Sequence, residues 1–504
     1  MEIAYYDLSG GINQASTKTE LGLNNKKVYW ADAINVEILQ NKGICKQKGN
    51  TLFLQLPQAE EITGLHELFA DEVYRLIITT LSGKIYVYND STSELLLVDK
   101  VLEGVKPLIA SFLRGVVIYS EKDSPFYLNL DLSVEDCNLK DENDNYIIVN
   151  SVAAFRGRIW LSSGSTLYYS ALGTYNNFDA ENDAGYISDF HTDTSDIIAI
   201  KPYKDYLAIY KKNSVYLLTG TSPNDFAIVP FASKGCIAQK AIINVENKQY
   251  FLSNGIFALE QVGELNQIQL GGEISQKIKS EFEQFVPNAL SESFCVHYEN
   301  KSQMWFFFPY ANQQYYHTVW INDYLNKAWY KRIIPQNITS ACIFKQNVLT
   351  ADSDGKIYKE DYGTTFAGEP IEFMWKSPFF AIGNAHHRKV IEEFYFVLDE
   401  GFDNNFDFLV YKDYDSQFPD DLEKIYSIHF DHMIWADEKT QMNLPCRWAL
   451  DDENIPVWSV NRNTLEKAEI SESNYAIQLC VQGDSIEHSC AIIGLQFREI
   501  YNDD

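Results

Sequence analysis

The chain has 504 residues, of which 46% are hydrophobic and 14% aromatic, with 32 Tyr and 30 Phe, and its formal net charge is −29. This length exceeds what one hydrophobic core grows to fill, so two or more packed units or a repeat architecture are expected, and the aromatic bias suits half-buried strands better than helices. So acidic a balance excludes non-specific affinity for phosphate backbones and favours a self-repelling surface.

The N-terminus "MEIAYYDLSGG" has no basic segment followed by an apolar stretch and no small-residue cleavage site. Export by signal peptide is therefore not expected. No run of about 18 apolar residues is available to span a membrane. The eight cysteines are scattered, with no C-x-x-C pair, which reads as buried thiols of a chain that folds in a cytoplasm.

From residue 74 onward one phrase recurs: an apolar strand, a polar turn, then a strand bearing an aromatic. It appears in "YRLIITTLSGKIYVYND" (74–90), "GVVIYSEKDSPFYLNL" (115–130), "GRIWLSSGSTLYYSA" (157–171), "DYLAIYKKNSVYLLTG" (205–220), "QYFLSNGIFALEQ" (249–261) and "NVLTADSDGKIYKED" (347–361). The aromatics after each turn are Tyr86, Tyr127, Tyr168, Tyr216, Phe257 and Tyr358, at intervals of 41, 41, 48, 41 and 101 residues. The long last interval holds a further hairpin, "MWFFFPYANQQYYHTVWI" (304–321), and a strand-like "AWYKRII" (328–334). A period near 40 with three or four short strands per unit predicts an all-β fold, a β-propeller of about seven blades. The WD signature is absent, and large β-sandwiches, whose strands also recur, are the competing architecture.

Between these hairpins, "GGEISQKIKSEFEQF" (271–285) spaces Ile274, Ile278, Phe282 and Phe285 by 4, 4 and 3, which predicts one short amphipathic helix that packs over blade edges or docks a partner. Beyond "DYGTTFAGEP" the repeat stops. Longer strand candidates at 392–400, 406–416, 474–483 and 490–502 predict a β-sandwich-like domain, with an acidic loop over 413–423. The expected organisation is 1–60 packing on or closing the propeller, 61–365 as propeller repeats, and 366–504 as the β-sandwich-like domain.

No chemistry stands out. "DSDG" (352–355) lacks the bidentate Glu of a calcium loop and reads as a hairpin turn, and "DENDN" (141–145) lacks both the Gly and the Glu and reads as a solvated loop. His429 with His432, and His386 with His387, would point to opposite faces of a strand and present no paired nitrogens to a metal. There is no G-x-S-x-G, H-E-x-x-H or G-x-x-x-x-G-K-[ST]. No catalytic, cofactor-binding or metal residue is assigned, and the chain reads as a non-enzyme. The basic pairs Lys46 with Lys48, Lys211 with Lys212, and Lys331 with Arg332 read as turn residues. Lys211 and Lys212 keep a claim as contacts to an acidic neighbour or a passing phosphate, and Ile274, Ile278 and Phe282 as contacts to a partner.

Three segments carry a resemblance: "DLSGGINQASTKTELGLNNKKVYWADAINVEILQNKGICKQKGN" (7–50), with Gly43, Lys46, Lys48 and Gly49; "AAFRGRIWLSSGSTLYYSALGTYNNF" running on to "DIIAIKPYKDYLAIYKKNSVYLLTG" (153–220); and "PIEFMWKSPFFAIGNAHHRKVIEEFYFVLD" (370–399). In this order they resemble the tail hub or nozzle (tail tubular, packaged-DNA stabilisation) proteins of short-tailed bacteriophages. The resemblance implies a structural virion protein, built around a β-propeller and assembled as a ring, most naturally a hexamer, below the portal. Its partners would be the portal adaptor or head-to-tail connector, other tail proteins, and double-stranded DNA passing through the lumen without specific binding. Such a protein assembles in the host bacterial cytoplasm and ends in the virion tail. An acidic lumen would let a duplex slide, because Lys and Arg are what hold phosphates. The alternatives are a carbohydrate-binding or carbohydrate-active propeller, which calls for an axial funnel lined by Asp, Glu and Trp, and a cytosolic scaffold for protein partners that does not self-assemble.

Overall fold

The computed structural model describes residues 2–17, 21, 27–190, 193–262, 267–382, 387–399, 402, 404–415, 422–427, 465–468, 473–486 and 489–503. His386, His429, His432, Cys446 and part of the 413–423 loop lie outside the described residues. The chain divides into two compact units, one of Thr51–Asn322 with Ile334–Glu360, the other of Met1–Asn50, Asp323–Ile333 and Asp361–Asp504.

The first unit is a seven-bladed β-propeller. Its inner strands are, in order, Ile62–Ala70, Leu108–Phe112, Ser151–Phe155, Ile197–Tyr203, Ile243–Val245, Phe294–Tyr298 and Ile338–Phe344. Each starts an antiparallel meander in which consecutive strands pair outward. The seventh blade joins the two ends of the unit: its outermost strand is Asn50–Gln55, beside Lys356–Glu360. The ring is thus closed by hydrogen bonding between segments about 300 residues apart in sequence, a closure that removes free sheet edges from the circle.

The sequence period has a direct structural cause. Tyr86, Tyr127, Tyr168, Tyr216, Phe257 and Tyr358 all sit on the third strand of their blades, and all but Tyr168 are buried. In the sixth blade the third strand, Thr318–Asp323, carries the buried Trp320. The cores lie between blades rather than within them: Phe155, Trp160, Ile200 and Ile209 pack together across blades 3 and 4, and Leu68, Ile85, Val116 and Phe126 across blades 1 and 2. A blade covered on both faces has no polar face, so its middle strands read as unbroken apolar runs. Gly115–Tyr119 is buried at every position.

The turn read as Lys211-Lys212-Asn213 is shorter than expected. The second strand of blade 4, Tyr206–Lys211, runs through Lys211, which is fully buried. Its Nζ donates to the carbonyl oxygens of Asp193 and Ser195 at 2.7 Å each, lies 3.8 Å from the Asp193 carboxylate, and sits 4.4 Å from the centre of the Phe190 ring. Lys211 is therefore withdrawn as a contact residue, because no partner or phosphate reaches it; Lys212 is exposed.

Burial opposes ionisation of Asp193, but the hydroxyls of Ser195 and Ser214, the Ser195 N–H and Lys211 hold its carboxyl down at about 2. A carboxylate lowered from its ordinary value near 3.8 adds stability above that value and loses it as pH falls towards 2. Asp193→Asn is expected to cost on the order of 1–2 kcal/mol at pH 7, after discounting for its partial exposure, and to flatten the acid limb of a urea-midpoint-versus-pH curve between about 4 and 2. An unchanged acid limb would show that this network does not set it.

The segment 271–285 is helical but not a continuous α-helix. Gln276–Glu283 winds as a 3-10 helix broken at Ile278, whose φ of −118° is not helical. Its bonds are of the i to i+3 kind, Ile278 N–H to Ser275 O at 3.0 Å and Gln284 N–H to Glu281 O at 2.9 Å. Phe285 stacks on Phe308 and Phe282 packs against it at a tilt, Ile278 is fully buried and Ile274 partly so. Ile278 and Phe282 are thus spent on the sixth blade, and for these two the expectation of a partner contact gives way to packing, while Ile274 stays half-exposed.

The second unit consists of two sheets. One has the order Val36–Ile38, Ile44–Lys46, Ala491–Asp503, Arg388–Leu398, Leu465–Ala468, with Ile3–Tyr5 also on Ala491–Asp503. The other includes Ala328–Ile333, Asp32–Ile34, Phe373–Lys376, Ile477–Gly483, Asn404–Lys412 and Leu422–Ser427 in that order. They face each other through aromatics: Phe394 lies 5.7 Å from Phe408 and Phe396 5.3 Å from Phe406 between ring centres. This is the expected sandwich-like unit, but residues up to 50 belong to it, and only the short strand Asn50–Gln55 closes the propeller.

Within this unit the basic stretch "CKQKG" is structural. Lys46 is buried and its Nζ donates to Ser485 O at 2.5 Å. Arg332 is 2% exposed, and its guanidinium donates to Gln47 Oε1 at 3.2 Å, Lys48 O at 2.7 Å and Gly49 O at 3.0 Å, with the Phe366 ring 4.8 Å away.

Candidate functional site

Seven inner strands around one axis leave a space that none of them fills. The propeller axis holds a cavity of about 550 Å³, lined by residues of every blade. A volume of this order is typical of small-molecule sites. The strands bring one or two side chains each: Thr63 and His66 from blade 1, Leu108 and Ile109 from blade 2, Val152 from blade 3, Lys201 from blade 4, Gln239 and Lys240 from the turn leading into blade 5, Phe294 and Cys295 from blade 6, and Thr339 from blade 7.

The lining is polar and carries both signs of charge. Lys106 pairs with Glu292, and Tyr316 donates its hydroxyl to the Glu292 carbonyl at 3.1 Å. Gln239 bridges blades 2 and 3 by donating to Tyr119 Oη at 2.9 Å and Ser151 Oγ at 2.7 Å; Ser151 Oγ accepts in turn from the Ile200 N–H of blade 4 at 3.0 Å. Thr339 Oγ1 donates to Ile62 O across the blade 7 to blade 1 junction at 2.5 Å. These bonds fix the inner strands to one another, so the cavity walls are preorganised.

Burial dominates the ionisation of the groups facing it. His66 shares a hydrogen bond of 2.8 Å with Ser111 Oγ, and its pKa is pushed down to about 4 by burial, with Lys201 adding repulsion, so the ring is neutral at pH 7. Burial also lowers Lys201, and it lowers Lys240 to about 8, with Lys106 adding repulsion. Cys295 is pushed up to about 12 by burial, which makes it a poor nucleophile.

No residue singled out in the sequence lines this cavity. Its three lysines, Lys106, Lys201 and Lys240, come from separate positions in the chain, with no motif to join them. Only knowledge of which strand is innermost, and where it begins, could have found them. The other expected non-sites have structural explanations. Asp352 accepts from the N–H groups of Asp354 and Lys356 at 2.9 and 2.8 Å and closes the "DSDG" hairpin turn. Asp141 likewise accepts from Asn143 and Asn145, both at 2.9 Å. Among the described residues no group of three or more His, Cys, Asp or Glu side chains is gathered as a metal ion requires. Seven described cysteines are free thiols, six of them buried. No helix among the described residues is long and apolar enough to cross a membrane.

No family model matches the chain, and no curated protein matches it. Among solved structures it is similar to the computationally designed protein Ika8, at 11% identity over 62% of this chain and 99% of that one with a TM-score of 0.38. It is similar also to YCF48 bound to a D1 peptide, at 10% identity over 61% and 94% with a TM-score of 0.39. A third is the Pan2 WD40 domain of Neurospora crassa, at 9% identity over 64% and 96% with a TM-score of 0.40. With likenesses this distant, the propeller assignment stands on the order and closure of the seven sheets.

Proposed function

We propose that this chain is a structural virion protein, a tail hub or nozzle of a short-tailed bacteriophage, which forms a ring below the portal, retains packaged DNA and provides the channel for its ejection. The observation that carries the reading is the ordered trio of family-like segments, at 7–50, 153–220 and 370–399. The net charge of −29 is consistent with a surface past which DNA slides.

The propeller constrains how such a channel is built. A cavity of about 550 Å³, crossed by hydrogen bonds between inner strands, admits a small molecule but not a duplex whose major groove alone is about 12 Å wide. DNA would therefore pass between copies, through the lumen of a ring whose heterologous interfaces close by rotation. The portal adaptor and other tail proteins would meet the two rims of that ring.

The carbohydrate reading called for an axial funnel of Asp, Glu and Trp. The described residues lining the cavity include Glu61 and Glu292 but no Asp and no Trp, and Glu292 is paired with Lys106. That reading is not carried further. The ring is tested by light scattering and electron microscopy of the purified chain, alone and mixed with its portal assembly. A closed ring in either sample is expected; a monomer that never joins the assembly would overturn the proposal.

A further inference from the structure

The axial cavity has a mouth at the end where the inner strands begin. Glu61, Lys106, Gln239 and Glu292 line the cavity, and each stands just before the inner strand of its blade, so together they ring that end. Blades 2 and 6 are three places apart in a ring of seven, as far apart as two blades can be. The ion pair of Lys106 with Glu292 therefore bridges the mouth and joins its two sides.

Glu292 ends a segment that is held at both roots and loosely between them. Pro287–Glu292 is a short 3-10 helix, and none of its residues is buried. The roots are firm: Phe285 stacks on Phe308 at 4.6 Å, the Val286 N–H donates to Pro309 O at 3.0 Å, Ser293 is fully buried, and Phe294 stacks on Phe307 at 4.4 Å. Between them the backbone bonds are local, Ala289 N–H to Val286 O and Ser293 N–H to Leu290 O. Tyr316, on the same blade, donates to the Glu292 carbonyl at 3.1 Å, so among the described residues the polar contact with the opposite side of the mouth is the pair with Lys106.

A segment with few buried contacts opens at low cost, and short 3-10 pieces often mark hinges. The Lys106 side chain is 56% exposed and that of Glu292 40%, and exposed pairs of this kind are weak and screened by salt. The opposite wall does not share this looseness, because Gln239 ties it to Tyr119 and Ser151. A weak bond between a loosely held segment and a fixed wall has the properties of a latch.

We propose that Pro287–Glu292 is a strap over the mouth of the axial cavity, latched by Glu292 on Lys106, and that small molecules enter when this pair parts. The cavity beneath it, about 550 Å³, then exchanges its contents at a rate set by the strap. Cys295 reports that exchange: it lines the cavity, follows Glu292 by three residues and is the one described cysteine that is not buried. Cys236, fully buried, reports general unfolding instead.

Modification of the native full chain by N-ethylmaleimide, followed by peptide mass spectrometry at Cys295 and Cys236, tests the strap. In Lys106→Met and in Glu292→Gln, Cys295 should react about two- to fivefold faster than in the parent, the range that a weak exposed pair supplies, with Cys236 unchanged. Raising sodium chloride from about 0.05 to about 0.5 M should speed Cys295 in the parent and not in either variant, since salt screens only a pair that exists. Lys345→Met breaks another exposed pair between blades, that with Asp90, away from the cavity lining, and should leave Cys295 at the parent rate. Should neither mouth variant fold, the salt dependence of Cys295 in the parent decides. A Cys295 rate indifferent to the variants and to salt overturns the strap, and so does one that rises only in step with Cys236 or rises equally in Lys345→Met.

Discussion

Lys211→Met is expected to lower the stability of the propeller by about 2–3 kcal/mol, while Lys212→Met next to it stays within about 0.5 kcal/mol of the parent. Both changes remove one positive charge from a "KKN" stretch, so charge alone predicts no difference. Geometry does. Lys211 is fully buried, and its ammonium satisfies two backbone carbonyls at 2.7 Å and faces the Asp193 carboxylate at 3.8 Å. Methionine fills the same channel between Phe190 and Tyr216 but donates nothing, which leaves both carbonyls and the carboxylate without their cation. The carbonyls are partly buried, so water recovers some of the loss, and the cost falls short of the 3–5 kcal/mol typical of breaking a fully buried pair. A urea titration should show a lower midpoint at unchanged slope. Equal midpoints for the two variants would refute the clamp.

The same pair shows what the sequence makes legible. The propeller is readable because each blade repeats one event, an aromatic on its third strand, and the event recurs at a nearly constant interval. The end of a strand is less readable. In an ordinary hairpin a lysine before Lys-Asn lies in the turn, but a blade is covered on both faces, so the last residue of its strand is still inside. The N-terminal residues were read with the propeller because sequence adjacency is the only local signal. Their actual strand partners, such as Phe497 for Ile3 and Ile492 for Ile44, are hundreds of residues away and leave no trace in spacing. The 271–285 segment has a true helical spacing, but Ile278 leaves helical geometry as it enters the core, and burial outweighs the regular i to i+4 ladder there. The axial cavity was illegible for a related reason: a ring brings together one or two residues per blade, and no linear motif records that convergence.

Gly49→Ala should be the most damaging single change, with a loss of about 4 kcal/mol or more in the second unit, or no folded second unit at all. A Cβ at Gly49 would lie 1.8 Å from the Thr365 carbonyl oxygen and 2.3 Å from its carbon, both backbone atoms that no rotamer change can move. Nor can the Gly49 backbone retreat. Its N–H donates to Gly363 O at 3.0 Å, its carbonyl accepts from Tyr362 N–H and from the Arg332 guanidinium at 3.0 Å each, and Asn50 N–H donates to the same Thr365 carbonyl at 3.0 Å. Gly363→Ala is the matched control, because nothing lies within 4 Å of a Cβ there and only its φ of +73° is unfavourable, a strain of about 1 kcal/mol. Circular dichroism and urea unfolding of the two variants would separate contact from conformation: if Gly49→Ala costs no more than Gly363→Ala, the close approach is not what requires glycine. If the costs differ as expected, the glycine that ends "GICKQKG" is explained by a backbone crossing. Its neighbours Lys46 and Arg332 are then the buried donors that hold that crossing together, and no contact with DNA is needed to account for them.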